Sequence, residues 1–262
     1  MQYPTISEYV KAIQDASDNL DMSTEATNAE LNEAITDEFG VKYSEDGRKL
    51  LKALYELNGT YSIKEGVRII CDKAFDYCSS LRSLVIPDEV TSIGKSAFAN
   101  CKSLRSLVIP DGVTRIGNEA FYGCKSLSSL VFPNSITSIG ARAFEGCEFL
   151  TNIAIPDGIT SIEERTFLDC CSLIDIVIPD SVVSIGDDAF RGCSSLSNVV
   201  IPNGVTRIGD SAFRGCKSLT DIVIPDSVTS IGDSAFRHCN FPNDIEQELI
   251  SRFGEEIFEE TF

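Results

Sequence analysis

Apolar and polar residues alternate in short runs that recur along most of this chain. In one such run, Leu84 and Ile86 point to one side of an extended chain and Val85 points to the other. Pro87 follows, and it ends the run because it has no N–H group for the next ladder hydrogen bond. The pattern predicts a short β-strand with one buried side, followed by a turn.

The run belongs to a unit that repeats every 23 residues. Residues 80–101 read SLRSLVIPDEVTSIGKSAFANC, and residues 103–124 read SLRSLVIPDGVTRIGNEAFYGC. Cysteine and phenylalanine keep this step at Cys78, Cys101, Cys124, Cys147, Cys170, Cys193, Cys216 and Cys239, and at Phe75, Phe98, Phe121, Phe144, Phe167, Phe190, Phe213 and Phe236. A second extended piece, residues 90–93, is followed by Gly94 and a compact turn. A fixed period of this length is typical of a solenoid.

One unit cannot bury its own apolar side chains, so neighbouring units must stack. Successive strands then lie about 4.8 Å apart in a parallel sheet, and each unit forms one coil of a right-handed superhelix. Equivalent phenylalanines form a column inside the coils. The repeated residues are therefore scaffold, and the outward positions that vary from coil to coil are the candidates for binding.

The unit resembles the BspA-type class of leucine-rich repeats. The residues that carry the resemblance recur across about residues 58–239, and in one unit they are Leu81, Leu84, Ile86, Pro87, Val90, Ile93, Gly94, Ala97, Phe98 and Cys101. The resemblance implies an α/β-type repeat fold, a leucine-rich-repeat solenoid with a parallel sheet on one face. It also implies adhesion or other protein–protein contact, typically on a microbial cell surface. One unit departs from the pattern, with Glu163 in place of glycine and Thr166 in place of alanine, so we expect that coil to bulge.

The two ends of the chain lack the repeat, and we expect polar caps there because an open solenoid exposes an apolar cross-section. Residues 1–57 are predicted to form an N-terminal cap of two helices and a hairpin. The first helix follows a capping box at residues 5–8, the second covers residues 23–36, and the hairpin turns at residues 45–47.

The repeats and the C-terminal cap fill the rest of the chain. Residues 58–242 are predicted to form about eight coils, and residues 243–262 a capping helix with Asp244 as its N-cap. Within that helix, Ile245, Leu249, Phe253 and Ile257 recur at helical spacing.

The charge of the chain excludes several partners. The formal net charge is −18, and a nucleic acid or an anionic membrane would have to meet clustered Lys and Arg, which the sequence lacks. The N-terminus has neither the basic region nor the apolar run of a signal peptide, and no run of residues is apolar enough for a membrane helix. On sequence alone we expect a cytoplasmic protein with no membrane insertion, whereas the resemblance implies the cell surface.

Cysteines and one histidine are the candidates for metal binding or catalysis. The cysteine step of 23 residues is too long for paired zinc ligands, and stacked equivalent side chains have the wrong Cβ geometry for disulfides. We therefore predict buried thiols in the ladder, with Cys71 and Cys171 outside it as the reactive ones. His238 stands where other coils have glycine, so no Ser-His-Asp or Cys-His arrangement is expected. We predict no catalytic residue, no metal, no cofactor and no enzymatic activity.

Acidic residues form two further patterns. A row that follows the prolines suits Asx-turns, with a calcium ladder as the alternative: Asp88, Asp111, Asp157, Asp180 and Asp226. The second pattern predicts exposed i,i+4 ion pairs, at Asp187/Arg191, Asp210/Arg214 and Asp233/Arg237.

The outward sheet face is the predicted binding surface. It grades from basic to acidic along the solenoid, and its stripe of valines forms a contiguous apolar patch of the kind that marks interfaces. The candidate binding residues are Arg82, Arg105, Val108, Val131, Asn152, Asp175, Val177, Asn198, Val200 and Asp221. We predict a protein partner, from a host or a second copy of the chain. A glycan-binding surface protein is the alternative, disfavoured because the chain has no tryptophan to stack on sugar rings.

Overall fold

The computed structural model describes residues 23–259. The helix predicted after residues 5–8 and the last three residues of the predicted C-terminal cap lie outside this range.

Each coil passes through three sides that stack on the equivalent sides of its neighbours. We number the coils 1 to 8 by the phenylalanine that each gives to the core, from Phe75 to Phe236. Coil 4 is residues 127–149 and coil 5 is residues 150–172. The first strands of the coils form the sheet face and their second strands form the second face. The segment that ends at the ladder cysteine forms the turn face.

Strands pair in parallel with the same residues of the next coil, as at Leu107 with Leu130, which confirms the predicted parallel-sheet solenoid. The strands of the sheet face are Asn58–Ser62, Ser80–Val85, Ser106–Val108, Ser129–Val131, Asn152–Ala154, Asp175–Val177 and Asn198–Val200. The strands of the second face are Ile69–Ile70, Ser92–Ile93, Arg115–Ile116, Ser138–Ile139, Ser161–Ile162, Ser184–Ile185, Arg207–Ile208 and Ser230–Ile231. The sequence pattern predicted a second extended piece at residues 90–93 but not a second sheet, because two-residue strands are too short to show alternation.

The N-terminal side is closed by a short helix and an antiparallel hairpin. The helix is Asn28–Glu33, shorter than the predicted residues 23–36, and its N-cap Thr27 forms a capping box with Glu30. Strands Ile35–Thr36, Lys42–Tyr43 and Lys49–Lys52 follow, and the last of them pairs in parallel with Ile69–Ile70 of coil 1. The helix ends early because the chain turns directly into this sheet, which extends the second face.

The C-terminal side is closed by helix Asn243–Phe253 and the 3₁₀ turn Glu255–Ile257. The N-cap position belongs to Pro242, so the prediction of Asp244 was wrong by two positions, and Asp244 lies in the first turn. The 3₁₀ turn takes the place of a ninth coil on the turn face, where the Phe236 N–H donates to the Ile257 carbonyl at 2.9 Å.

The turn face contains no α-helix in the described coils. Each turn instead uses two residues with left-handed backbone, such as Ser96 (φ 52°) and Asn100 (φ 59°) in coil 2. The predicted i,i+4 pair of Asp187 with Arg191 is therefore wrong, because it assumed helical spacing. Asp187 contacts Arg207 of the next coil at 3.2 Å.

The core is a column of stacked phenylalanine rings with a ladder of cysteine thiols beside it. Neighbouring rings lie nearly parallel, with centroids 5.2 Å apart between Phe75 and Phe98 and 5.6 Å apart between Phe144 and Phe167. Each ladder thiol from Cys101 onward donates to a main-chain carbonyl of the preceding coil, as Cys147 Sγ does to the Phe121 oxygen at 3.3 Å, and Cys78 Sγ donates to the Leu54 carbonyl of the N-terminal cap. The ladder cysteines therefore supply hydrogen bonds as well as apolar volume.

Candidate interaction surface

The structure places all ten candidate binding residues at exposed positions of the sheet face. Among the large hydrophobic side chains of the sheet face, exposure is highest along the valine stripe, which comprises Val85, Val108, Val131, Val177, Val200 and Val223, with Ala154 in the place of a valine in coil 5. The six valines are 54% to 76% exposed, whereas their strand neighbours Leu107 and Ile176 are buried. An alternating strand on a flat sheet produces this division directly.

The sheet face is neutral in a strongly acidic chain. Its outward positions in coils 2 to 8 hold only four charged residues: Arg82, Arg105, Asp175 and Asp221. Two positive and two negative charges cancel, while the whole chain carries −18. The acidic residues therefore lie mainly on the other surfaces and in the caps.

Both sheets are interrupted between coils 4 and 5, and we call this interruption the seam. On the sheet face, Ser129–Val131 does not pair with Asn152–Ala154; on the second face, Ser138–Ile139 does not pair with Ser161–Ile162. Everywhere else among the described coils the second face is continuous. The predicted bulge at coil 5 is thus a break in the hydrogen bonding of two sheets.

Glu163 explains the break. Equivalent glycines lie directly on the main chain of the preceding coil: a Cβ atom on Gly117 would meet Gly94 carbon at 2.6 Å, and one on Gly186 would meet Glu164 nitrogen at 2.7 Å. A real Cβ atom cannot approach that closely. The Cβ of Glu163 therefore holds coil 5 away from coil 4 at this corner.

Besides the strand pairings, three ladder bonds that other coils make are missing at the seam. The coil 5 donors that lack them are the N–H groups of Thr151, Thr160 and Glu163, and the coil 4 carbonyls left without them belong to Ser128, Thr137 and Ile139. In the next coil the equivalent bonds form, at 3.0 Å from Ile174 N to Thr151 O and at 2.8 Å from Gly186 N to Ile162 O.

The turn face stays intact across the seam. Phe144 N donates to the Thr166 oxygen at 2.9 Å, and Gly146 N donates to the Leu168 oxygen at 2.8 Å. Coils 4 and 5 are therefore joined along one side and parted along the other two.

The parted sides open as two clefts. The cleft on the sheet face has a volume of about 430 Å³ and is lined by Ser129, Leu130, Val131, Phe132, Asn152, Ile153, Ala154, Asp175 and Val177. The cleft on the second face is about 250 Å³ and more polar, with Thr137, Ser138, Thr160, Ser161 and Glu163 in its walls. Sequence reasoning missed the clefts, although Phe132, Ala154 and Glu163 signal them, because each departs from the repeat.

The cysteines offer little nucleophilic chemistry. No disulfide joins any of the ten, all of which lie within the described range. Burial raises the pKa of the Cys78 and Cys239 thiols to about 12. Cys71 was predicted to be reactive but is fully buried beside Leu51 and Ile69, and only Cys171 of the predicted pair is partly exposed.

The other candidate groups stand apart from one another. His238 is exposed and has a left-handed backbone (φ 64°), as Gly215 does in the preceding coil (φ 79°). The aspartate row is exposed, and within residues 23–259 no three His, Cys, Asp or Glu side chains converge as a metal site would require. Every helix in the described part of the chain is too short or too polar to span a lipid bilayer.

Solved structures of other proteins share this architecture. The chain is similar to a solved leucine-rich repeat protein of T. pallidum, with 27% identity over 87% of this chain and 95% of that one and a TM-score of 0.57. It also resembles solved proteins of Bacteroides ovatus (29% identity, 76% of this chain, TM-score 0.45) and Faecalibacterium prausnitzii (27% identity, 72% of this chain and 67% of that one, TM-score 0.39). The second of these is described as a leucine rich cell surface protein. The chain spans 64% of the B. ovatus protein.

A search of curated proteins finds no match to this sequence. The family model for the BspA type leucine rich repeat region matches in six copies, over residues 59–173 and 160–261. These matches cover most of the chain and include every coil. The chain belongs to the family of BspA-type leucine-rich repeat proteins.

Proposed function

We propose that this protein is a non-enzymatic binding scaffold, displayed on a bacterial surface, that holds a partner protein against its sheet face. The observation that carries the proposal is the neutral, valine-striped sheet face on a chain of net charge −18. The adhesive role and the surface location follow the family resemblance.

The composition of the sheet face supports a protein partner. Interfaces lose charged residues at their centres and keep a polar rim. Here the centre of the face carries Val108, Val131, Val177 and Val200, flanked by serine, threonine and asparagine. A contiguous exposed stripe of this kind costs solubility unless a partner covers it.

The scaffold role is also supported by the scattered chemistry of the candidate catalytic groups. An acid, base or nucleophile must converge with a partner group to act. His238 is exposed on the turn face, and the ladder thiols point into the coils, where burial raises their pKa.

A capture experiment tests the proposal. We would use the full chain as bait for host and bacterial surface extracts, beside Val108→Lys with Val200→Lys. The matched control is Thr114→Lys with Thr206→Lys, which adds the same charges to the same two coils on the second face. We expect the wild type and the control to capture the same protein, and we expect the valine variant not to capture it.

Two results would overturn the proposal. One is a captured protein that both lysine variants retain equally, because its site would lie away from the sheet face. The other is binding on a glycan array with no protein captured from any extract.

A further inference from the structure

We propose that the seam is a docking site for an extended segment of the partner protein, apolar and carrying one basic residue. The segment lies between coils 4 and 5 at the cleft on the sheet face. This inference rests on the proposed binding role and names the part of the partner that enters the scaffold. Four features of the seam lead to it.

The first feature is the shape of the cleft. Its volume of about 430 Å³ accommodates a few residues of extended chain, and Val131, Phe132 and Val177 offer apolar walls. Ala154 leaves a notch in the valine stripe, since every other coil from 2 to 8 has valine there. A partly enclosed apolar pocket near the centre of a face is where binding energy concentrates.

The second feature is the set of unsatisfied main-chain groups. At the sheet-face cleft, the facing edges of Ser129–Val131 and Asn152–Ala154 do not pair, and the Thr151 N–H and the Ser128 carbonyl lack the ladder bond that would join them. Unpaired strand edges are templates for another chain, and main-chain hydrogen bonds then give affinity to any extended segment. Two facing edges select an extended segment over a helix.

The third feature is the joined turn face, which allows the seam to open. Cα atoms of Ser129–Val131 and Asn152–Ala154 still lie within 8 Å of each other. A strand seated between two others needs about 9.6 Å, twice the usual spacing. Binding therefore widens the seam by at least about 1.6 Å. The hydrogen bonds from Phe144 and Gly146 act as the hinge.

The fourth feature is the charge of the cleft. Asp175 is the one charged residue in its lining, and no salt bridge within residues 23–259 involves it. A lysine or arginine in the segment complements this carboxylate, and an acidic residue there is repelled.

A random peptide library displayed on phage tests the inference, with the full chain as bait. Glu163→Gly with Thr166→Ala restores the repeat and closes the seam. Glu163→Ala with Thr166→Ala is the matched control, because it keeps the Cβ atom that holds the coils apart. We expect enriched apolar peptides with one basic residue that bind the wild type and the control at least tenfold more tightly than the closed variant.

Two further arms use the enriched peptide itself. Peptides are made with N-methyl groups on either the odd-numbered or the even-numbered main-chain nitrogens, which removes the hydrogen bonds that these nitrogens donate. We expect one of the two methylated peptides to bind at least tenfold more weakly and the other to bind as before. Asp175→Asn should weaken binding about fivefold, by loss of one exposed ion pair. Both arms hold even if the double variants fold poorly.

The inference is overturned if no peptide is enriched, or if enriched peptides bind the closed variant as tightly as the wild type. Failure here is distinct from failure of the proposed function. Suppose that a natural partner no longer binds Val108→Lys with Val200→Lys but still binds the closed variant. The sheet face is then the binding surface, and the seam is not part of it.

Discussion

The main chain of Glu163 lies directly against Gly186 of the next coil, where an added Cβ atom would meet the Glu163 carbonyl carbon at 2.8 Å. Glu163 has the same position relative to coil 4 that Gly186 has relative to coil 5, but Glu163 carries a side chain. One position thus determines whether two coils close or part.

Restoring the repeat at this position should stabilise the protein. Glu163→Gly with Thr166→Ala allows three ladder bonds to form, each contributing about 1 kcal/mol, and the added glycine costs about 1 kcal/mol of chain entropy. We expect the free energy of unfolding to rise by about 1–3 kcal/mol in urea denaturation. The control Glu163→Ala with Thr166→Ala should show no such gain. An equal gain in both variants would mean that the Cβ atom does not hold the seam open.

Truncation in the phenylalanine column should be costly. Phe144 is fully buried and stacks on Phe121 at 5.3 Å and on Phe167 at 5.6 Å. We expect Phe144→Ala to lower the free energy of unfolding by about 3–5 kcal/mol through the cavity that it leaves. Phe144→Leu fills most of that space and should cost clearly less. A loss below about 1 kcal/mol for the alanine variant would contradict a continuous core.

Thiol labelling should distinguish the cysteines. Burial raises the pKa of the ladder thiols, to about 12 for the partly exposed Cys239, so their reactive thiolate is scarce at pH 8. Burial also raises the pKa of Cys171, but this thiol is partly exposed and lies outside the ladder. We expect a disulfide reagent to modify one thiol rapidly in the folded protein and the others only after unfolding. Cys171→Ser should remove the rapid phase. Rapid labelling of several thiols in that variant would show that the coils open far more than the structure indicates.

The N-terminal cap should weaken in acid. Lys49 Nζ lies 2.9 Å from Glu30 Oε1. Burial raises the pKa of Glu30, but hydrogen bonds from the Thr27 N–H and from Lys49 outweigh it and lower that pKa overall. A carboxylate with a lower pKa in the folded state stabilises the fold above its unfolded value of about 4.3, and this contribution is lost as the pH falls through the folded value.

Glu30→Gln provides the measurement for this pair. We expect the wild type to exceed the variant by about 1–2 kcal/mol in free energy of unfolding at pH 7 and to converge with it near pH 3. If the difference in free energy of unfolding between wild type and variant is the same at pH 3, the stabilisation comes from packing of the Glu30 side chain and not from its charge.

The repeat made the solenoid predictable, because one strand, one turn and one buried aromatic recur at fixed spacing and only stacking buries them. The same logic placed Val131 and Val177 outside and Phe144 inside. Periodicity constrains every coil at once, so a single departure such as Glu163 stood out as well.

The remaining features depend on contacts between coils that spacing alone does not encode. The turn face was assigned helical ion pairs because Asp187 and Arg191 are four residues apart, yet left-handed residues there replace the helix. The seam could be expected at Glu163, but its extent depends on how far one Cβ atom displaces the neighbouring main chain. The capping helix began at Asn243 because the chain enters it through Pro242.

Amide hydrogen exchange across the seam tests the central structural claim most directly. The N–H groups of Thr160 and Glu163 lack ladder partners, whereas Gly140 N donates to the Ile116 oxygen at 2.9 Å and Gly186 N to the Ile162 oxygen at 2.8 Å. We expect the first two to exchange at least a hundredfold faster than the two glycines, and to become protected in Glu163→Gly with Thr166→Ala. Equal protection of all four amides in the wild type would show a continuous ladder and contradict the seam.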